Sequence, residues 1–458
     1  MEVFAVLTVP EIITRMRAVA PEGRPRLSRP ESRRLADLTQ ALLAAKPDAL
    51  REYSRFLAIG RRSIGLPRAE LEASLHGRSV LVTGGTGCIG SALLAQLVGL
   101  RPRRLVSVSR GCAGGPRLDG AEYVCADVRD LGRLTNVFGD IRPDVVFHVA
   151  AQRDPGLAEH EVHRTVTTNV LGTRNVIAAA AGSGASQVVC ASTGKALRPY
   201  SPDIYTASKR VTEWLLSRAA ARGAASYSAV RFTHVVDNSI IHARLLEWCE
   251  GGVIRLHSPD AAFYAQSALE SAQLLLGASA GAGAGALRLH AITDLGWPVS
   301  LLDMALGVLV RTGSHAPIYL SGYDRGYEAV PFPGLYDPET AGAVSPLLNT
   351  FEAAQAGCSP CPGADAFPLE VAPVPEVTKR MQALDEVCAR TRQPGPVRAA
   401  LDELSWSLLD ATLKAVPCQA LVRAAGLTAP HRDSLNAEHR RLLAVIEHHM
   451  AAAESSLV

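Results

Sequence analysis

The sequence predicts an α/β protein built on a doubly wound parallel sheet, with a smaller substrate-binding part and helical extensions at both ends. Three observations support this fold class. Short apolar, β-branched runs alternate with helical patterns between residues 78 and 231, a glycine-rich turn joins the first run to the first helix, and leucines recur at helical spacing near both ends of the chain. Such alternation is typical of a parallel sheet covered by helices on both faces.

Length and composition fit an enzyme with accessory parts. The chain has 458 residues, 48% of them hydrophobic, so it exceeds one compact domain and can bury a sizeable core. Its formal net charge of +3 provides no broad basic field for nucleic acid. We find no signal peptide and no long apolar run. We therefore expect a cytoplasmic protein with no nucleic-acid and no membrane partner.

Residues 1–77 are predicted to form a helical N-terminal extension. Leucines make an apolar stripe before Pro47, and residues 51–57 continue the helical pattern. We interpret this extension as a helical cap.

The first strand pattern, residues 79–83, passes through the turn TGGTGCIG of residues 83–90 into a helical pattern. The first glycine permits a tight turn, the next lets the backbone approach a pyrophosphate, and the last lets helix and strand pack closely. The helix N-terminus adds free N–H donors and a positive dipole end. Such a turn also occurs without a ligand. It predicts a dinucleotide site that includes Gly84, Thr86, Gly87, Cys88, Ile89 and Gly90.

The end of the second strand pattern bears on which dinucleotide binds. An NAD enzyme usually places an acid there for the ribose 2′-hydroxyl, whereas this chain has Ser109 and Arg110, which suit a 2′-phosphate. This predicts NADP, with NAD possible; the alternative is that Arg110 is a solvated loop charge. Asp127 and Val128, at the end of the next strand, are expected to meet the adenine edge.

Residues 144–151 read as a further buried strand. Its small final residues, Ala150 and Ala151, would let the cofactor lie close. We interpret His148 within this strand as a core histidine rather than a catalyst.

Several segments together resemble the extended short-chain dehydrogenase/reductases: residues 83–90, 147–151, 169–173, 191–196 and 205–210. Residues 256–264 and 292–303 narrow the resemblance to the polysaccharide-biosynthesis branch, which holds sugar-nucleotide 4,6-dehydratases and 5-epimerases. The resemblance implies a Rossmann-type sheet. It also implies a domain over residues 78–330, with cofactor binding mainly in 78–231 and substrate binding mainly in 232–330.

The resemblance implies a catalytic set of Thr193, Lys195, Tyr205 and Lys209. Tyr205 and Lys209 are one helical turn apart, so the ammonium can lower the pKa of the phenol and hold the nicotinamide ribose. Tyr205 would be the base for alcohol oxidation, and Thr193 would hydrogen bond the same hydroxyl. Lys195 would then remove the proton beside the new ketone.

Lysine usage supports this set independently of the resemblance. Of 47 basic residues only five are lysines, Lys46, Lys195, Lys209, Lys379 and Lys414. Where arginine is the default base, a retained lysine indicates that a group able to lose its proton is needed. The alternative is that Lys195 is a surface lysine by chance.

The chain departs from the family pattern at Gly194, where the family carries an aspartate that protonates the departing hydroxyl. General acid assistance is worth about 10²–10⁴-fold in rate, so dehydration needs another acid or a better leaving group. His234 is a candidate acid; a structural or solvent-facing histidine is the alternative. The loop after Lys195 is also longer than the family pattern.

A second departure concerns the substrate. The family's basic segment for the diphosphate is replaced by residues 321–328, SGYDRGYE, where Arg325 keeps part of the role. We therefore expect either a sugar nucleotide or a nucleoside, in secondary-metabolite biosynthesis. The predicted substrate contacts are Gln152, Ser192, Gly194, His234 and Arg325.

Prolines interrupt residues 331–375, which predicts a wrap or linker, and residues 376–458 are predicted to form a helical C-terminal region. Its apolar stripes would pack on the catalytic body or on a second subunit, and the resemblance implies a homo-oligomer. The nine cysteines are scattered, so we expect reduced thiols. The pair Cys358 and Cys361 lacks further ligands nearby, and we expect no metal.

The leading hypothesis is an NADP-dependent dehydratase or epimerase, a lyase or isomerase that acts on a sugar nucleotide or nucleoside through a transient ketone. One alternative is a simple ketoreductase or dehydrogenase of a sugar or secondary metabolite, in which Lys195 only binds. The other is a non-catalytic NADP-binding regulatory protein that lost catalysis with Gly194.

Overall fold

The computed structural model describes residues 7–111, 117–280, 283, 285–324, 326–327, 345–353, 357–358, 364–369 and 374–455. The chain forms two compact units. The larger unit comprises Ser63–Phe232, Leu269–Asp294 and Arg325–Val458, and the smaller unit comprises Met1–Arg62, Thr233–Ala268 and Leu295–Asp324.

The strands of the described residues, in chain order, are β1 (Ser79–Thr83), β2 (Arg104–Ser109), β3 (Glu122–Cys125), β4 (Val145–His148), β5 (Gln187–Thr193), β6 (Ser226–Phe232), β7 (His234–Val235), β8 (Ile254–Leu256), β9 (Ala262–Phe263), β10 (Ala265–Gln266), β11 (Leu287–Ile292), β12 (Val299–Ser300), β13 (Ile318–Leu320), β14 (Gly357–Cys358) and β15 (Ala364–Leu369).

The helices are α1 (Val9–Val19), α2 (Arg29–Ala45), α3 (Ala49–Ile59), α4 (Arg68–Leu75), α5 (Cys88–Val98), α6 (Leu131–Ile141), α7 (Pro155–His160), α8 (Val162–Val166), α9 (Gly172–Ser183), α10 (Ile204–Ala220), α11 (Ile240–Cys249), α12 (Ala268–Ala280), α13 (Leu301–Thr312), α14 (Thr350–Ala353), α15 (Pro375–Arg390), α16 (Pro394–Ala415), α17 (Cys418–Thr428) and α18 (Ala437–Ser455). Short 3₁₀ turns cover Gly194–Leu197, Val236–Asn238 and Ala429–Ser434, and a π turn covers Thr167–Leu171.

The sheet of the larger unit has nine strands among the described residues, in the order β14-β15-β11-β6-β5-β4-β1-β2-β3. The seven strands from β3 to β11 are parallel, and β15 and β14 extend the sheet with antiparallel pairing. The chain order reverses at β1, which pairs with β2 on one side and β4 on the other. Ligands bind at such switch points in open α/β sheets. The predicted Rossmann-type fold class is confirmed.

The turn after β1 has the backbone that its glycines predict. Gly84 adopts φ +74°, a left-handed conformation that favours glycine. A Cβ on Gly90 would lie 2.2 Å from the carbonyl oxygen of Gly84, so only glycine lets α5 start this close to the strand. Both features bring backbone N–H groups to the carboxyl end of β1.

The C-terminal helices pack on the larger unit's own surface. Leucines at positions 401, 404 and 408 of α16 are buried together with side chains of α8, α10 and α15. A second cluster joins leucines 435, 442 and 443 of the last turns and α18 to Tyr200 and Phe351. Of the two predicted packing partners, the stripes therefore contact the catalytic body.

The region predicted as a wrap or linker contains regular structure in its described parts. α14 is buried, and β15 pairs along its whole length with β11. This strand was not predicted, because prolines interrupt the surrounding sequence. The strand can contain Pro368 because β15 lies near the sheet edge, where proline is tolerated.

The smaller unit has its own hydrophobic core. α1, α2 and α3 share it with α11, α13 and the short strands β8 and β13. α4 belongs to the larger unit. The predicted helical extension is therefore divided in the structure between two cores, while the functional domain boundaries stay a prediction. No helix of the described residues has the length and apolarity needed to cross a membrane.

Candidate active site

The carboxyl end of β5 and the start of α10 bring the central pair of predicted catalytic residues together. Thr193 ends β5, and its hydroxyl hydrogen bonds the phenol of Tyr205. Tyr205 sits in the first turn of α10, whose free N–H groups donate to Asp203 at 2.7 Å and to Glu159 at 2.8 Å. These caps fix the helix start and hence the position of the phenol.

Burial is the largest influence on the pKa values of Tyr205 and Lys209. It raises the pKa of the Tyr205 phenol to about 12, and the hydrogen bond with Thr193 acts in the opposite direction. Lys209 is buried, its Nζ donates to the carbonyl of Ala191 at 2.9 Å, and burial lowers its pKa. The expected lowering of the phenol's pKa by Lys209 stays a prediction. The cation that acts in that direction is Arg153, which sequence analysis missed.

Lys195 lies in the 3₁₀ turn directly after Thr193. Its Nζ donates to the carbonyl of Gly326 at 3.2 Å and lies 5.3 Å from the centroid of the Tyr327 ring, a cation–π distance. Arg325, the predicted substrate contact in this segment, lies outside the described residues. The ammonium of Lys195 is thus held by residues 326 and 327, while its backbone N–H donates to Oγ1 of Thr193 at 3.3 Å.

The space beside Gly194 is filled by an apolar side chain. A Cβ at this position would lie 2.5 Å from Cδ2 of Leu347 and 3.4 Å from the carbonyl oxygen of Phe232. The family's aspartate could not be accommodated here unless Leu347 moved. Leu347 was not among the predicted site residues, because nothing in the sequence links position 347 to position 194.

A buried ion cluster lies behind the catalytic turn. The fully buried guanidinium of Arg231 donates to Glu213 at 2.8 Å and to Glu352 at 2.7 Å, and Arg210 donates to Glu352 at 3.2 Å. Burial alone would lower the pKa of Arg231, but the two carboxylates raise it. The predicted substrate contact Ser192 donates its hydroxyl to Glu213 at 2.6 Å. Apart from Ser192, none of these residues was a predicted site residue, although an arginine inside an apolar strand could have indicated the cluster.

The loop after β4 is tied to the catalytic helix. The N–H of Gln152 donates to Oδ1 of Asn169 at 2.8 Å, and Nδ2 of Asn169 donates to Oγ of Ser208 at 3.0 Å. Asn169 lies in the π turn, a rare form that often marks functional sites. This tie holds Ala150 and Ala151 next to the dinucleotide turn, where a Cβ on Gly84 would lie 2.7 Å from the Ala150 nitrogen.

The nucleotide end of the site carries mixed charge. Asp127 follows β3 and accepts from Arg129 at 2.6 Å; burial would raise its pKa, but these hydrogen bonds hold the pKa below the usual value. Arg110 is exposed at the end of β2 and Val128 is buried.

Cys125 is disulfide-bonded, so the expectation of reduced thiols is wrong at this position.

The two histidines considered from sequence have different surroundings. His148 is buried between the hydroxyls of Thr83 at 2.7 Å and Thr173 at 2.9 Å, and burial lowers its pKa to about 3, so it is the core histidine that was predicted. His234 lies in the smaller unit, where its Nε2 is 2.6 Å from Oγ of Ser239. Its role as an acid stays a prediction.

These residues fit a bound dinucleotide. Gly87 is the N-cap of α5 and makes no side-chain cap hydrogen bond, and the backbone N–H groups of such a helix N-terminus can bind a pyrophosphate. The absence of side chains at Gly84 and Gly90 lets the turn pack closely against Ala150 and the start of α5. Among the described residues, no group of three or more potential ligands could hold a metal ion.

A parallel sheet with this turn after β1, and a Thr-Tyr-Lys set on β5 and α10, defines an extended short-chain dehydrogenase/reductase. Within that class, the chain belongs to the family described as polysaccharide biosynthesis protein, whose model matches residues 80–326. The predicted family is confirmed.

Relatives with this sequence pattern are longer than the matched part. The chain is 28% identical over 290 residues to the probable polysaccharide biosynthesis protein EpsC of Bacillus subtilis, covering 60% of this chain and 46% of that protein. It is 29% identical over 173 residues to a UDP-N-acetylglucosamine 4,6-dehydratase (inverting) of Campylobacter jejuni, covering 36% of this chain and 51% of that protein. The chain thus spans about half the length of these relatives.

Among solved structures, the chain is similar to Pen from Bacillus thuringiensis. The TM-score is 0.54 at 22% identity, and the match covers 64% of this chain and 89% of that chain. At this identity the likeness shows the fold.

Proposed function

We propose that this protein is an NADP-dependent dehydratase or epimerase that acts on a sugar nucleotide or nucleoside through a transient ketone. The observation that carries the proposal is the Thr193–Tyr205 hydrogen bond with Lys195 in the adjoining turn. One group can take a hydroxyl proton, and the next can take a C–H proton.

The residues divide the work as follows. A nicotinamide dinucleotide bound at the turn after β1 would supply the oxidant for the alcohol and, afterwards, the reductant for the ketone. Thr193 orients the substrate hydroxyl, and Tyr205 as phenolate accepts its proton. Lys209, whose Nζ donates to the carbonyl of Ala191 at 2.9 Å, would hold the cofactor ribose.

The ketone makes the neighbouring C–H acidic. Lys195, once its ammonium has lost a proton, accepts this C–H proton, and the electron pair passes into the enolate. Proton return to the other face gives an epimer, whereas loss of hydroxide gives an unsaturated ketone. The relative named a UDP-N-acetylglucosamine 4,6-dehydratase supports a sugar nucleotide as substrate class.

A simple dehydrogenase is the second candidate. It is favoured by the bond from Lys195 to Gly326, which is also what a purely binding lysine would make. Net consumption of the cofactor would distinguish it, because a dehydratase or epimerase recycles the cofactor.

The test is incubation of the protein with UDP-N-acetylglucosamine, UDP-glucose and free nucleosides in deuterated water, with NADP⁺ or NAD⁺. We expect deuterium beside the transient ketone, an epimer, or loss of 18 mass units by NMR and mass spectrometry. Tyr205→Phe and Lys195→Ala should each abolish this, while Tyr227→Phe and Lys414→Ala, in a buried strand and on the surface, should not. The proposal is wrong if both site variants retain turnover.

A further inference from the structure

Residues 345–353, here called the inserted segment, are a buried part of the larger unit. Ser345, Leu348 and Asn349 are each only 1% exposed, and Leu347 is 5% exposed. The segment belongs to a proline-rich region that the sequence suggested to be a linker. Its burial shows that it packs as core.

The inserted segment is anchored to the catalytic turn by polar contacts. Nδ2 of Asn349 donates to the carbonyl of Leu197 at 2.6 Å. Arg231 donates to the carbonyl of Leu347 at 2.9 Å and to the carbonyl of Ala196 at 3.2 Å. One buried guanidinium therefore holds the segment and the turn that carries Lys195 in a single arrangement.

The position of the inserted segment also depends on the balance of charges in the buried ion cluster. Arg210 and Arg231 face Glu213 and Glu352, so the cluster is neutral only when the inserted segment contributes its carboxylate. Burial would raise the pKa of Glu352, but Arg231 holds the pKa below the usual value, which keeps the carboxylate charged. The segment is thereby fixed with Leu347 against Gly194.

The consequence concerns position 194, which lies between two predicted catalytic residues in the chain. Gly194 lies between Thr193 and Lys195 in the chain, and a Cβ at this position would lie 2.5 Å from Cδ2 of Leu347. A methyl group cannot donate a proton, so Leu347 offers no general acid at this position. Loss of hydroxide needs a proton donor for the leaving oxygen, whereas proton return to carbon does not.

We propose that Leu347 is a specificity-determining residue, which closes the space beside Gly194 to a proton donor and thereby directs the enolate to reprotonation at carbon rather than to loss of water. This rests on the proposed function. In balanced terms, the C–H proton goes to Lys195 and returns to the same carbon from Lys195 or solvent, and no C–O bond breaks. The nicotinamide cofactor is the oxidant and is regenerated on reduction of the ketone.

The packing of Leu347 against Gly194 is tested without a substrate. Gly194→Ala, Leu347→Ala and the double variant are compared by thermal unfolding, with Leu348→Ala as the matched buried-leucine control. We expect Gly194→Ala to lower the melting temperature by several degrees in the parent and by clearly less with Leu347→Ala. It should keep its full effect with Leu348→Ala. Additive effects of Gly194→Ala and Leu347→Ala would overturn the proposal.

The product outcome is tested in deuterated water with UDP-N-acetylglucosamine and UDP-glucose. We expect the parent to incorporate deuterium without losing 18 mass units, and Gly194→Asp/Leu347→Ala to raise the dehydrated fraction at least about tenfold. Gly194→Asp/Leu348→Ala should not. Dehydration by the parent as fast as deuterium incorporation would overturn the proposal. If the parent neither exchanges nor dehydrates, the proposed function fails instead, and the unfolding comparison still decides the packing of Leu347 against Gly194.

Discussion

Tyr205 is nearly buried, and this burial sets how its phenol titrates. Burial raises the pKa to about 12 in the cofactor-free protein. Only the phenolate can accept the substrate's hydroxyl proton, so alcohol oxidation should quicken as pH rises, by about tenfold per pH unit well below the pKa. Single-turnover oxidation measured from pH 7 to 10 tests this. A flat profile would contradict the assignment of Tyr205 as base.

Arg153 gives a second test of the same phenol. Its charge lowers the pKa of Tyr205, so Arg153→Ala should move the rising limb of the pH profile to higher pH. Arg164→Ala, an exposed arginine paired with Glu161, is the control and should leave the profile in place. An unshifted profile in Arg153→Ala would show that the two groups are not coupled.

Arg110 decides the cofactor prediction. Arg110 is exposed directly after β2, where the sequence predicts contact with a ribose 2′-phosphate. A charge-assisted hydrogen bond is worth about 1.5–3 kcal/mol, so Arg110→Ala should weaken NADP⁺ binding by about 10–100-fold. Calorimetric titration with both nucleotides checks this, and NAD⁺ affinity should stay nearly constant. An equal loss for both would mean that Arg110 does not recognise the phosphate.

The sequence predicted those site residues whose contacts are made by segments close to them in the chain. Gly84 and Gly90 have the turn geometry that their spacing indicates, and Thr193 meets Tyr205 because β5 and α10 are consecutive. Leu347 and Tyr327 could not be predicted, since they reach the site from distant parts of the chain. The contacts of Leu347 with Gly194 and of Tyr327 with Lys195 depend on the tertiary fold. The periodicity of the sequence does not reveal such contacts.

The helix α16 covers the catalytic helix, and its leucine stripe is an element of the active site's support. Leu404 is fully buried in the cluster that also contains Tyr205. Leu404→Ala should destabilise the protein by about 2–5 kcal/mol, because the cavity cannot fully collapse. Urea unfolding checks this, with exposed Leu157→Ala, 41% accessible, as a control expected near zero. Equal effects of the two variants would place α16 outside the cooperative core.

The inserted segment offers a matching test for charge. Glu352→Gln should destabilise the protein by about 3–5 kcal/mol, because Arg231 and Arg210 then face a single carboxylate in a buried setting. Glu376→Gln, in an exposed pair with Arg380, should cost at most about 1 kcal/mol. Chemical unfolding of the two variants compares them. A small loss in Glu352→Gln would mean that water reaches the cluster.

Helices were easier to predict than late strands. The leucine spacing of α16 and α18 is regular, so their existence followed from periodicity. β15 has a proline and follows other prolines, and it is a strand only because the edge of β11 is available to pair with it. Tertiary pairing thus overrides the local signal there.

Two buried histidines affect the acid stability of the whole molecule. Burial lowers the pKa of His148 and His290 to about 3. Below about pH 6.5 the unfolded chain binds protons that the folded chain does not, so stability present at neutral pH is lost as pH falls towards 3. Urea unfolding at pH 7.5, 6.0 and 5.0 should show this decline. His290→Gln should make it shallower, and an unchanged slope would mean that His290 does not contribute.

The fold class of the whole molecule was accessible from sequence, whereas the composition of the smaller unit was not. That unit combines the first helices with two later stretches of the chain. An apolar stripe such as that of α2 indicates that one face of the helix is buried. It does not indicate which segment of the chain packs against that face. For that reason the N-terminal helices were expected to form a separate cap.

The ion cluster around Arg231 also constrains how this protein can change by descent. Arg231 and Glu352 are 121 positions apart, yet each is costly in the core without the other. A lineage that deleted the inserted segment would retain a surplus buried cation until position 231 or 210 also changed. A recombination that exchanged only the C-terminal part would meet the same barrier. The inserted segment and the arginines of the catalytic unit are therefore expected to be inherited together.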